Sequence, residues 1–214
     1  MATAAADDLT LLKDTWAELC AETGVTRHDL AFQLIASTYA EPARHYHTAR
    51  HIADCLREFQ PVRALCGRPL AVAAALLFHD HVYEPTRHDN EERSADEAAM
   101  ALAALRWPPL TIAAVRSMIL ATRHAHAPDS ADAAIVVDID LAILGKPSDD
   151  FDAYEKAIRR EYAHVPAEEF RTGRVAVLRH FLARPRIYAT DHFAARYEMQ
   201  ARQNLGQSIA GLEG

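Results

Sequence analysis

An all-α bundle of about ten helices is the fold class this sequence predicts, and three observations predict it. Gly occurs only 7 times and Pro 10 times in 214 residues, while Ala is abundant, a composition that favours helices. Apolar residues recur at helical spacing in one segment after another, with Ser, Thr, Asp or Pro where helices would begin. No alternation of apolar and polar residues persists long enough to mark a strand. Ile135-Val136-Val137 is the one run where a strand could hide, and its Ala-rich flanks argue against it. The chain reads as a single domain over residues 1–214, with its motifs in about 44–145 and further helices at 146–205.

The elements follow in order. Leu9, Leu12, Trp16 and Leu19 form one stripe of a helix over 9–21. Thr26 can cap a second helix to about Tyr39, which Pro42 ends. A third runs from about Tyr46 to Phe59, with Ile52, Leu56 and Phe59 on one side. Pro69 opens a fourth that is apolar nearly all round and ends near Asp80, the mark of a helix in the middle of a bundle. A loop holding Pro85 follows. Asp89 and Glu92 have capping-box spacing for a fifth helix to about Leu105. Pro108-Pro109 starts a sixth, to about Thr122. A seventh spans about Ser130 to Leu144, with Gly145 as its C-cap. Ser148 caps an eighth, Pro166 stands near the start of a ninth, and Asp191 caps a tenth. The tail after Gly206 is expected to be loose.

Composition limits the function classes. The chain is 50% hydrophobic and 25% charged, which excludes a disordered or fibrous protein. A net charge of −7 argues against binding a nucleic-acid polymer. Three cysteines, Cys20, Cys55 and Cys66, make no CxxC pair and no disulfide framework, which fits a reducing, cytoplasmic setting. Residues 1–8 lack the features of a signal peptide, and the longest apolar run, Leu70 to Phe78, is too short to span a bilayer. No membrane partner is expected.

The 12 histidines are more than a chain of this length ordinarily carries, and their spacing directs attention to four places. His47 and His51 are four apart, so on a helix they share a face. They can bind one metal together, or one can bind while the other handles a proton. Chance placement on an exposed face is the competing reading. His79-Asp80 closes the most apolar helix, where an unpartnered carboxylate is costly and a divalent cation would compensate it; a helix end open to water is the alternative. Asp138 and Asp140 interrupt an apolar run, so at least one needs a partner. They point about 200° apart on a helix and do not serve one site equally. An arginine salt bridge is the plain alternative. The fourth place pairs Asn90-Glu91-Glu92 with Thr122-Arg123-His124-Ala125-His126. Glu91 is freer than the capping Glu92, and at least one of His124 and His126 is expected to be a solvated loop residue.

The ordered set His … His-Asp … Asp resembles the HD superfamily of metal-dependent phosphohydrolases. More narrowly, it is similar to a small bacterial group of predicted metal-dependent phosphohydrolases. The pieces that carry the likeness are His47-x-x-x-His51, Phe78-His79-Asp80-x-Val82-Tyr83, Asn90-Glu91-Glu92-x-Ser94-Ala95, Thr122-x-His124 and Asp138-x-Asp140-Leu141-Ala142-Ile143-Leu144-Gly145. The resemblance covers about 44–145 and implies an HD-like helical bundle. It implies His51, His79, Asp80 and Asp140 as ligands of a divalent ion, with Asp140 preferred to Asp138. The stretch from Tyr46 to Asp54 also resembles the opening motif of cyclic-nucleotide phosphodiesterase catalytic domains, which suggests His47 as general acid.

The implied reaction is hydrolysis of a nucleotide or another small phosphate ester by water that the ion activates. Asp80 could also bridge a second ion or orient the attacking water. Arg44, Arg50 or Arg123 is expected to hold the phosphate, with Glu91 and His124 on the substrate side. Mixed N/O ligation suits Mn, Fe, Co, Ni or Zn, and Mg if carboxylate and water dominate. The alternatives are an HD-type di-iron oxygenase and a catalytically silent, metal-stabilised helical protein. A homodimer is compatible with the sequence.

Overall fold

The computed structural model describes residues 2–26 and 29–214, with side chains from residue 6 onward. Among them are ten α-helices, two short 3-10 helices and no strand, as an all-α chain requires. No helix among the described residues is long and apolar enough to cross a membrane. The chain divides into two compact units, Met1–Val137 and Asp138–Gly214.

The first unit contains α1 (Ala2–Ala21), α2 (Asp29–Thr38), α3 (Ala49–Phe59), the 3-10 helix η1 (Gln60–Leu65), α4 (Pro69–Phe78), α5 (Asn90–Ala104) and α6 (Pro109–Ala121). Helix α7 (Ala131–Asp140) begins there, and the division falls inside it. Helix α4 is the centre: Ala71 to Phe78 are all buried, and α1, α3, α5 and α6 surround it. Its sequence requires this, since a helix with no polar face is stable only when enclosed. Trp16 of α1 meets Phe78 edge-on, with ring centroids 6.1 Å apart. Trp107 lies buried after α5 and donates its indole N–H to the Leu19 carbonyl at 3.2 Å. That bond satisfies an α1 C-terminal carbonyl that has no partner within the helix.

The second unit holds the 3-10 helix η2 (Leu141–Gly145), α8 (Ser148–Glu161), α9 (Ala167–Leu182) and α10 (Asp191–Glu213). Helix α10 lies against η2 and α9. A Cβ added to Gly145 would lie 2.4 Å from the Tyr197 Cβ and 2.8 Å from the Tyr197 carbonyl oxygen. Asn204 donates to the Leu144 and Lys146 carbonyls at 2.8 and 2.9 Å, and the Tyr188 hydroxyl donates to the Leu141 carbonyl at 3.0 Å. The Leu141, Leu144 and Lys146 carbonyls are therefore satisfied by side chains from beyond α9.

Several element boundaries differ from the sequence expectation, each for a local reason. Helix α1 starts well before Leu9. The expected start of α2 at Thr26 runs through residues 27–28, outside the described residues. Helix α3 begins at Ala49 with Thr48 as N-cap, so His47 precedes it. Asp89 makes no capping hydrogen bond: it pairs with Arg87, while Glu92 pairs with Arg123. Helix α7 tightens into η2 at Leu141, so Gly145 is not the cap of a longer helix but a point of close approach to Tyr197. Pro147 takes the N-cap of α8, leaving the Ser148 hydroxyl to donate to Asn204. Thr190, not Asp191, caps α10 by accepting from the Phe193 N–H. The tail past Gly206 is helical to Glu213.

Candidate metal centre

The centre is built where α3 starts and α4 ends. His51 sits in the first turn of α3 and His79 is the C-cap of α4; they are 5% and 2% exposed. Their Nε2 atoms lie 3.1 Å apart. Asp80 turns its Oδ2 toward both, 3.2 Å from His51 Nε2 and 3.1 Å from His79 Nε2. Three donor atoms thus form a nearly equilateral triangle. Ligands bonded to one ion at about 2.0–2.2 Å and roughly right angles stand about 3 Å apart.

Hydrogen bonding orients the donors. His79 Nδ1 lies 2.9 Å from the Leu76 carbonyl, which can only accept, so Nδ1 carries the proton and Nε2 turns its lone pair toward the triangle. The Asp80 Oδ2 atom is buried and accepts no hydrogen bond of acceptable geometry among the described residues. A proton on His51 Nε2 could serve only one of these acceptors at a time, whereas a cation serves all three. Burial works to raise the Asp80 carboxyl, but His79, His47 and His51 beside it prevail and hold it well below the usual carboxylate range. Cys55, one turn beyond His51, is buried with its Sγ 3.8 Å from both ring nitrogens of His51. His51, Cys55 and His79 are thus buried members of a cluster that could bind a metal ion, and Asp80, less buried, faces the two histidines.

Arg44 holds this geometry in place. It is buried and donates Nη1 to the Asp80 and His47 carbonyls at 2.7 and 3.1 Å, and Nη2 to the His81 carbonyl at 2.8 Å. Its Nε pairs with Glu41 at 3.0 Å. One guanidinium thereby clamps the segment before α3 to the loop after α4. Arg44 was expected to hold a phosphate; here its Nη donors go to main-chain carbonyls and its Nε to Glu41, which gives it a positioning role. Ser94 closes the other side of the loop, accepting from the Val82 N–H and donating to the Val82 carbonyl at 3.0 and 3.2 Å.

His47 reaches the centre by a different route from the one expected. It lies outside α3, stacked on Tyr83 with ring centroids 3.9 Å apart, and its ring is 5.9 Å from that of His51. Tyr83 belongs to the segment that Arg44 and Ser94 hold, so stacking replaces a shared helix face as the cause of the proximity. Arg50 is exposed and pairs with Asp54 at 3.8 Å. Glu91 is half-buried in the first turn of α5. His124 follows α6 with φ +56°, a left-handed conformation uncommon for a residue with a Cβ. Arg123 beside it pairs with Glu92 and is 3.4 Å from the His88 carbonyl.

The two acids of α7 belong to the second unit. Asp138 is fully buried, and its carboxylate accepts from the Ala189 N–H, the Thr190 N–H and the Thr190 hydroxyl at 2.7, 2.7 and 2.6 Å. Main-chain amides and a hydroxyl are its direct partners, where the sequence suggested an arginine. Asp140 is the last residue of α7. Cys55 and Tyr83 were not singled out as site residues from the sequence, although Cys55 has the same four-residue spacing from His51 that drew attention to His47.

Fold and site together define an all-helical chain with a buried His, Cys and Asp cluster suited to a metal ion. No family model, curated protein or solved structure matches the chain.

Proposed function

We propose that this chain is a metal-dependent phosphohydrolase of the HD type, acting on a nucleotide or another small phosphate ester. The convergence of His51 Nε2, His79 Nε2 and Asp80 Oδ2 at 3.1–3.2 Å carries the reading. These residues stand in the order that the resemblance to the superfamily implies. Asp140 is proposed as the remaining ligand on the strength of that order. A bound divalent ion would supply Lewis acidity toward a phosphoryl oxygen and an acidified water.

The chain's own residues then divide the work. His51 and His79 offer neutral imidazole lone pairs, and Asp80 offers negative charge and orients the attacking water. His47 protonates the leaving oxygen, with Tyr83 holding its ring by stacking. Arg44 keeps the Asp80 and His47 main chain in register. Arg50, Arg123, Glu91 and His124 are the proposed substrate side.

Metal analysis of the purified chain, followed by a phosphate-release screen over nucleotides and simple phosphate esters with that metal, tests the reading. Release that disappears in His51→Ala supports it. Metal-loaded protein that hydrolyses none of them overturns it; an oxygen-dependent redox signal from the iron-loaded protein would point to an oxygenase instead. His47→Gln separates proton transfer from ligation: turnover should fall about 10²–10⁴-fold with metal content unchanged.

A further inference from the structure

We propose that Cys55 is a thiolate ligand of the metal centre, and that through it the centre prefers a thiophilic divalent ion of the zinc class to magnesium or manganese. This rests on the reading that His51, His79 and Asp80 hold an ion. The ligand set implied by the sequence resemblance contains no cysteine, so the assignment comes from geometry alone.

Three observations carry it. Cys55 stands one helical turn after His51 on α3, the spacing at which two side chains of one helix reach a common point. Its Sγ is 3.8 Å from His51 Nε2, the atom that faces His79 and Asp80. A sulfur bonded at about 2.3 Å and a nitrogen at about 2.0–2.1 Å to one ion lie roughly 3.5–3.8 Å apart at tetrahedral to trigonal angles. Finally, the ligating atoms offered by His51, Cys55 and His79 are all within 4.8 Å of one another, and all three residues are buried.

The donor set decides the class of ion. Two imidazole nitrogens and one sulfur, set beside the carboxylate oxygens, make a site rich in soft and borderline donors. Magnesium takes oxygen ligands and gives up its water reluctantly, so a buried site with two nitrogens and a sulfur among its donors disfavours it. On binding, the Cys55 S–H bond breaks, the sulfur retains the electron pair and donates it to the ion, and the proton leaves to solvent. The other thiols are placed differently. Burial pushes Cys20 and Cys66 up to about 11, and neither joins a ligand cluster among the described residues.

Cobalt(II) added to the full chain is the probe, because a thiolate on cobalt gives a near-ultraviolet charge-transfer band separate from the visible bands of the ion itself. The wild-type chain should show both. Cys55→Ser should lose the near-ultraviolet band and keep the visible ones. Its zinc affinity should fall by at least the about 10–100-fold that loss of a mere supporting residue costs, with magnesium affinity unchanged. If the variant does not fold, alkylation of the native wild-type chain decides instead: Cys55 should be protected when cobalt is bound and modified after chelation in mild denaturant. Cobalt uptake without the near-ultraviolet band, or a band that survives in Cys55→Ser, overturns the thiolate ligand while the metal site stands. No uptake, or uptake unaffected by His51→Ala, overturns the site and the thiolate with it.

Discussion

Asp80 and Asp138 are the same residue type, each next to long apolar stretches, and the two units provide for them in opposite ways. In the second unit Asp138 receives two amide N–H groups and a hydroxyl. In the first unit Asp80 Oδ2 faces two imidazole nitrogens and accepts no well-formed hydrogen bond among the described residues. The first is a carboxylate used as a fastener, tying the end of α7 to the segment that caps α10. The second is a carboxylate left open to a cation. Burial alone does not distinguish a structural acid from a ligand; the identity of its partners does, because amide hydrogens are permanent donors while neutral imidazole nitrogens offer lone pairs.

Ligand substitution should break this comparison most sharply. Asp80→Asn is expected to abolish most metal binding, and removal of metal from the wild type should lower its melting temperature. A site saturated at about 1,000 times its Kd stabilises the native state by about 4 kcal/mol. Metal content by elemental analysis, and melting with and without chelator, check both. An Asp80→Asn chain that retains full metal would reduce Asp80 to a spectator.

Asp138→Ala comes next. It leaves the Ala189 and Thr190 amides without their acceptor and should destabilise the chain by about 3 kcal/mol in denaturant unfolding. Gly145→Ala probes the same closed region and should cost about 1–3 kcal/mol, since the new Cβ meets the Tyr197 Cβ and main chain rather than the tip of a flexible side chain. A neutral result for either would mean that the second unit yields more readily than its contacts indicate.

pH should separate the two acids by sign. Asp80 is held well below its usual value of 3.8, so its ionised form stabilises the native state above that value, and the contribution is lost as pH falls below it. Burial raises Asp138 above 3.8 against the pull of the Thr190 and Ala189 donors, so its contribution declines as pH rises through the window just above 3.8. Stability curves of the chelated protein, with Asp80→Asn and Asp138→Asn alongside, should show differences of opposite slope. His81 adds a third case: burial and the nearby Arg44 lower it from 6.5 to about 4. Stability tied to its neutral form is present above 6.5 and lost progressively down to about 4, and His81→Phe should flatten that limb. Smallest is Thr190→Ser, which keeps the hydroxyl for both the α10 cap and Asp138 and should shift stability by well under 1 kcal/mol; Thr190→Ala, losing both, should cost about 1–2 kcal/mol.

Helix content, the central place of α4 and the pairing of His79 with Asp80 at its end were all legible in the sequence. The signals are local: a run from Leu70 to Phe78 without a polar face can only be enclosed, and a carboxylate at its end demands a partner. His51 was also singled out, through its four-residue spacing from His47 on a helix expected from about Tyr46; that the helix starts at Ala49 with His51 buried in its first turn came from the structure. What stayed hidden depends on groups far apart in the chain. Nothing near Asp138 in sequence announces that residues 189 and 190 supply its donors, and nothing near Arg44 announces that the carbonyls of Asp80 and His81 consume its guanidinium. The same holds for His47, which is held by stacking on Tyr83 and not by the helix its spacing suggested, and for Gly145, whose missing side chain makes room for Tyr197.

The sequence by itself determined which segments are helices and which side chains have chemistry to offer, because helix periodicity, proline positions and residue type act within a few residues. Tertiary structure decided what each polar group does. A buried donor or acceptor takes whichever partner the fold brings within about 3 Å, and that partner stands 28 residues away for His51 and His79 and 51 for Asp138 and Ala189.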